Sequence, residues 1–133
     1  MFNKLQSFLN ITHHQDSKQN ENEAIIELMM MTMFIDKSLK LSEHDAIEEY
    51  AKSLNWKSPV SFEYYLNSAT AKVRNALSSE EKKTNFIKDI NNRITSPETK
   101  SQVLQTCQDL AGGDGELSPK EKEFLQLVTE FLV

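Results

Sequence analysis

Two short acidic segments of this 133-residue chain carry the side chains best suited to hold a metal ion. Residues 112–121, GGDGELSPKE, contain all three glycines of the chain and place Asp114 seven residues before Glu121. Carboxylates are the ligands that a hard cation such as Ca²⁺ prefers. Aligned with an EF-hand loop, Glu121 takes the twelfth position, but Leu110 and Gly112 stand where acidic ligands are required. One such turn is half of a calcium loop and should bind weakly alone.

The same acidic pattern occurs 78 residues earlier in the chain. A shift of 78 places Asp36 on Asp114 and Glu43 on Glu121, so each half reads as an apolar helix, an acidic turn and an amphipathic helix. A duplicated helix pair would pack about a pseudo-two-fold axis and bring the turns together. Four converging carboxylates repel one another without a cation. The repeat therefore predicts a divalent metal site, for Ca²⁺ or Zn²⁺, at Asp36, Glu43, Asp114 and Glu121.

Helix capping is the alternative explanation of the same residues. Ser118 and Glu121 have the spacing of a capping box, and Gly115 tolerates a positive φ after a helix end. The first turn fits less well, because Ser42 can cap the following helix without any use of Asp36. On this alternative the acidic turns are purely structural, and the chain is a protein- or membrane-interaction module.

Net charge, cysteine content and the length of the apolar stretches exclude some classes of function. The net charge of −5 argues against a nucleic-acid partner, because phosphates are neutralised by Lys and Arg. Residues 72–100 hold seven basic and four acidic groups, which we interpret as a solvated helix face. The one cysteine, Cys107, lies in an apolar stripe, which predicts a buried thiol in a reducing compartment. The longest apolar stretch, 24–35, contains Glu27 and is too short to span a bilayer, so we expect a cytoplasmic protein.

Apolar residues recur at helical spacing, which predicts an all-α fold: a single compact domain of about seven helices with the internal repeat. We divide the chain into an N-terminal amphipathic helix at 1–11, a polar linker at 12–22 and a helical domain at 23–133. Ser-Pro pairs at residues 58, 96 and 118 have the form of helix starts.

The tethered helix 1–11 suits peripheral contact with a membrane, and we also expect a protein partner. No Cys–His pair, serine elbow or phosphate-binding loop is visible, so we expect no enzymatic activity.

The two acidic turns give the chain a resemblance to the TerB-like family, which is associated with bacterial tellurite resistance. Its members carry an Ala-x-Ala-Asp-Gly-type turn, with Glu seven residues after the Asp, in both halves of an all-helical domain. The second copy, LAGGDGELSPKE, matches at Asp114, Gly115, Leu117, Pro119 and Glu121. The first, MFIDKSLKLSE, keeps Asp36, Leu39 and Glu43 but has Lys37 where glycine is usual. The resemblance covers residues 22–133. It implies a helical stress-response protein whose acidic residues are suspected of binding a divalent metal.

Overall fold

The computed structural model describes residues 2–35, 41–54, 56, 61–111 and 117–132, with side chains described from residue 18 in the first helix and from residue 45 in the second. Every regular element among these residues is a helix, which confirms the all-α prediction. The order is α1 (Phe2–Phe34), α2 (Leu41–Ser53), α3 (Phe62–Ala76), α4 (Glu80–Arg93), α5 (Pro97–Ala111) and α6 (Pro119–Phe131).

The second half of α1 is the centre of the molecule. Residues 24–34 are all buried, on every side of the helix, and α1 contacts each of the other five helices. A helix that is apolar all round is expected at the middle of a bundle. The four methionines of this segment pack in the core, as their unbranched side chains fill irregular gaps well.

The linker that we predicted at residues 12–22 is helical in the structure. The segment 2–34 contains neither Gly nor Pro, so nothing in it breaks a helix, and polar composition alone does not. Its last residues also have tertiary partners, since the Asn22 side-chain amide donates to the Leu54 carbonyl oxygen at 3.0 Å. The two helices predicted at 1–11 and 22–36 are thus one, so the described residues form six helices where about seven were predicted. The division into domains at residue 23 stays a prediction.

Serine residues cap several helix starts. The Ser118 hydroxyl accepts from the Glu121 N–H at 3.1 Å, and the Ser96 hydroxyl accepts from the N–H three residues on at 3.4 Å. Both confirm the Ser-Pro signals at these positions. The pair beginning at Ser58 lies outside the described residues, and α3 begins instead after Ser61, whose hydroxyl caps it. A serine cap is worth about 1 kcal/mol of stability.

The helix bounds agree with the internal repeat. A shift of 78 residues carries α2 (41–53) onto α6 (119–131) from end to end. The same shift pairs buried residues of α1 with buried residues of α5: Ile25 with Val103, Met29 with Cys107, and Met33 with Ala111. The helix pair α1–α2 and the helix pair α5–α6 therefore have corresponding buried positions at a shift of 78 residues. The turns that join the pairs, at 36–40 and 112–116, lie outside the described residues, so the pseudo-two-fold axis stays a prediction.

Candidate functional site

A carboxylate lies in the apolar centre of the bundle. Glu27 of α1 is 1% exposed, and a charge at this depth is costly unless it is paired and hydrogen-bonded. Arg93 of α4 holds it with two hydrogen bonds, Nη1 to Oε1 at 3.0 Å and Nη2 to Oε2 at 3.4 Å. The Tyr65 hydroxyl of α3 donates to Oε2 at 2.6 Å, and the Lys72 ammonium lies 3.0 Å from Oε1. These four side chains form what we call the Glu27 cluster.

Glu27 stays ionised near neutral pH, because its pKa is lowered. Burial alone would raise the pKa of Glu27, but the hydrogen bond and charge of Arg93, with Tyr65 and Lys72, outweigh it and hold that pKa below its ordinary value. Burial raises the pKa of Tyr65, and the neighbouring Glu27 charge raises it further. Burial opposes the charge of Arg93, yet Glu27 outweighs it and raises the pKa of Arg93. A carboxylate held this way is a poor proton acceptor, so the cluster serves to fasten α3 and α4 to α1.

Further polar contacts extend the cluster along α1. Arg93 also donates to Asn20, from Nε to Oδ1 at 2.9 Å and from Nη2 to the carbonyl oxygen at 3.1 Å. Glu21, which is 7% exposed, accepts from the backbone N–H of Thr95 at 3.3 Å and from its hydroxyl at 3.4 Å. Asn20 and Glu21, which precede the apolar half of α1, are therefore part of the packed domain.

Sequence reasoning did not find the Glu27 cluster. Its one visible signal was an acidic residue inside the apolar stretch 24–35. Arg93 lies 66 residues further along the chain, and no local pattern relates the two. Their pairing is set by the packing of α4 against α1, which one sequence does not reveal.

The predicted metal ligands fall mostly outside what the structure describes. Asp36 and Asp114 lie in the two undescribed turns, and Glu43 is the third residue of α2 with its side chain outside the described set. Glu121 is the third residue of α6, and its Oε1 accepts from the Ser118 backbone N–H at 3.1 Å, which confirms the predicted capping box. Among the residues whose side chains are described, no group of three or more His, Cys, Asp or Glu is placed to hold a metal ion.

A cleft of about 350 Å³ is lined by residues that directly precede two of the predicted ligands in the sequence. It is lined by Ile35, which directly precedes Asp36, and by Lys120, which directly precedes Glu121. The other lining residues come from the end of α1, the corner between α3 and α4, and the first turns of α6: Phe34, Leu77, Glu80, Lys83 and Glu123. The sequence neighbours of Asp36 and Glu121 thus line one cleft, which we call the α1–α4–α6 cleft.

Several cations of the segment 72–100 cover aromatic rings. Their charged groups lie 5.1 to 5.5 Å from the ring centres, in the pairs Lys72 with Phe86, Arg74 with Phe34, and Lys88 with Phe131. Each is a cation–π contact, in which the charged group lies over the face of the ring. All three cations belong to exposed residues, as expected of a solvated helix face.

Within the described part of the chain, no helix combines the length and apolarity that a membrane span requires.

Comparison with known protein families gives a match. The family described as tellurite resistance protein TerB matches residues 22–133, which is most of the chain and includes both acidic turns. No curated protein and no solved structure gives a significant match. A family match of this extent leads to one conclusion: the chain belongs to the TerB family.

Proposed function

We propose that this TerB-family chain is a cytoplasmic, non-enzymatic stress-response protein that binds a divalent cation through its paired acidic turns. The ligands are Asp36 and Glu43 from the first turn and Asp114 and Glu121 from the second. Each turn alone is half of a cation loop, so the proposal requires the two turns to meet.

The α1–α4–α6 cleft is the observation that carries the proposal. Ile35 and Lys120 are the direct neighbours of Asp36 and Glu121, and both line this one cleft. The matching bounds of α2 and α6 add support, because they make Glu43 and Glu121 the third residue of equivalent helices. A carboxylate at this position is favoured by the positive end of the helix dipole.

The donor chemistry fits Ca²⁺ better than Zn²⁺. All four proposed ligands are carboxylates, whereas protein zinc sites draw mainly on Cys and His. The one thiol, Cys107, is fully buried, and burial raises its pKa to about 12 although a hydrogen bond with Thr32 opposes the rise. The capping role of Glu121 is compatible with a ligand role, because a carboxylate offers about four lone-pair sites.

Calorimetric titration with Ca²⁺ and Zn²⁺, followed by thermal melting, tests the cation site. We expect Ca²⁺ to release or absorb heat and to raise the melting temperature, since a ligand that binds the folded state stabilises it. Asp114→Asn should remove the rise, and the matched change Glu130→Gln, at an exposed position of α6, should leave it intact. No heat and no shift at millimolar metal would disprove the proposal.

An interaction module is the second candidate, and the length of α1 favours it. At 33 residues α1 is about 50 Å long, more than twice as long as any other helix of the described chain. The sequence of residues 1–11 is amphipathic at helical spacing, which suits contact with a membrane surface or a protein partner. Flotation with anionic liposomes, with and without residues 1–11, tests the membrane contact. Equal flotation of the two proteins would exclude that role for the segment.

A further inference from the structure

Three of the described residues that line the α1–α4–α6 cleft are apolar. Phe34 is 6% exposed, and Ile35 and Leu77 pack against the core while still lining the cleft. The volume of about 350 Å³ lies at the lower end of the range of about 300–1,000 Å³ that small-molecule sites occupy. The cleft can therefore take a small molecule with an apolar body, and it is larger than an inorganic ion needs.

Four charged side chains line the cleft, and two of them pair with each other. The Lys83 ammonium lies 2.8 Å from Glu80 Oε1, and the Lys83 side chain is 11% exposed. The two opposite charges neutralise each other, so this pair lines the cleft but attracts a charged ligand only weakly.

The other two charges of the cleft, those of Lys120 and Glu123, have no partner among the described residues. Lys120 and Glu123 lie three residues apart on α6, and neither has a hydrogen bond or an ion pair with a described residue. Residues at this spacing are neighbours on one helix face, with about 5–6 Å between their Cβ atoms. The described lining of the cleft thus includes one unpaired cation and one unpaired carboxylate together with three apolar side chains.

We propose that this cleft binds a free α-amino acid with an apolar side chain. The ligand carboxylate pairs with Lys120, its ammonium pairs with Glu123, and its side chain lies on Phe34, Ile35 and Leu77. In an α-amino acid the ammonium and carboxylate groups are bonded to the same carbon atom. This short separation suits Lys120 and Glu123, which lie one helical turn apart. A peptide carries them at opposite ends, and a simple anion would leave Glu123 unpaired and close to the added negative charge. The proposed contacts use none of the four predicted metal ligands and need no cation.

Two-dimensional NMR of the full ¹⁵N-labelled chain in EDTA tests this site, with leucine as the probe. EDTA removes divalent cations, so the outcome does not depend on the cation proposal. We expect leucine to shift the amide signals of Leu77 and of the first turns of α6 in a saturable way. Glycine, N-acetylleucine and leucinamide should each bind more weakly, because they lack the apolar side chain, the ammonium and the carboxylate, respectively.

Charge-removing variants complete the experiment. Lys120→Met and Glu123→Gln should each weaken leucine binding by about two- to fivefold, the worth of an exposed ion pair, and the double variant should weaken it further. Lys122→Met is the matched control, because Lys122 lies on α6 but lines a different cleft. Melting curves check that all variants fold. Equal effects of the Lys120 and Lys122 changes, equal binding of leucine and N-acetylleucine, or no shift at millimolar leucine would overturn the proposal.

Discussion

At the scale of single residues, the main feature of the core is the buried ion pair between Glu27 and Arg93. Glu27 and Arg93 expose 1% and 11% of their side chains, so both are largely removed from water. Breaking a buried pair costs more than the pair contributes, because the remaining charge stays buried. Lys72 cannot fully replace Arg93, since half of its side chain is exposed and water screens its charge.

We therefore predict that Arg93→Met lowers the free energy of unfolding by about 3 kcal/mol, the lower end of the range for one partner of a buried pair. Urea unfolding measures the loss. Arg74→Met is the control, because Arg74 is exposed over a ring and should contribute at most about 1 kcal/mol. The double change Glu27→Leu with Arg93→Met should recover most of the loss. A loss for Arg93→Met no larger than that for Arg74→Met would contradict this account of the cluster.

The same cluster predicts an acid-sensitive component of stability. Its partners hold the pKa of Glu27 below the ordinary value of 4.5, so the folded state favours the ionised form more than the unfolded state does. This contribution is fully present above pH 4.5 and is lost as the pH falls through the lower, folded-state pKa. Urea unfolding at steps from pH 7 to pH 3 should show the difference between wild type and Glu27→Gln shrinking only below pH 4.5. A difference that stays constant to pH 3 would be inconsistent with an ionised Glu27.

At the scale of elements, the sequence was informative where local chemistry decides the structure. The apolar periodicity of α3 to α6 follows from one buried face, and Ser96 and Ser118 begin helices because their hydroxyls satisfy free N–H groups. Residues 12–22 were mispredicted because their polar composition suggested a linker, although no residue there breaks a helix. The Glu27 cluster depends on contacts between distant helices, which local patterns do not contain.

A proline substitution tests the continuity of α1. Gln15→Pro would destabilise the helical conformation around residue 15 by about 3 kcal/mol, because proline lacks the N–H and clashes with the preceding turn. It would also isolate residues 2–14, and a free helix of that length is marginal in water. We expect the far-ultraviolet circular dichroism signal for helix to fall, while the melting temperature changes little. An unchanged signal would mean that residues 12–22 form a linker, as their composition suggested. Gln15→Ala is the control and should preserve the signal.

At the scale of the whole molecule, α1 holds the bundle together, because it contacts all five other helices. The first of its described side chains with tertiary partners belong to Asn20, Glu21 and Asn22. The family match also begins at residue 22. We therefore predict that the folded unit begins close to residue 20, slightly before the boundary that composition suggested.

Two truncations locate that boundary. We predict that removal of residues 1–17 leaves the free energy of unfolding nearly unchanged. Removal of residues 1–22 should lower it by several kcal/mol, because it deletes the hydrogen bonds to Arg93, Thr95 and Leu54 and exposes that end of the core. Urea unfolding followed by both fluorescence and circular dichroism measures each change, and coincident transitions would show that the bundle unfolds as one unit. A large loss already on removal of residues 1–17 would mean that the start of α1 packs on the domain. That result would weaken the interaction-module alternative, since the segment would then be occupied by its own chain.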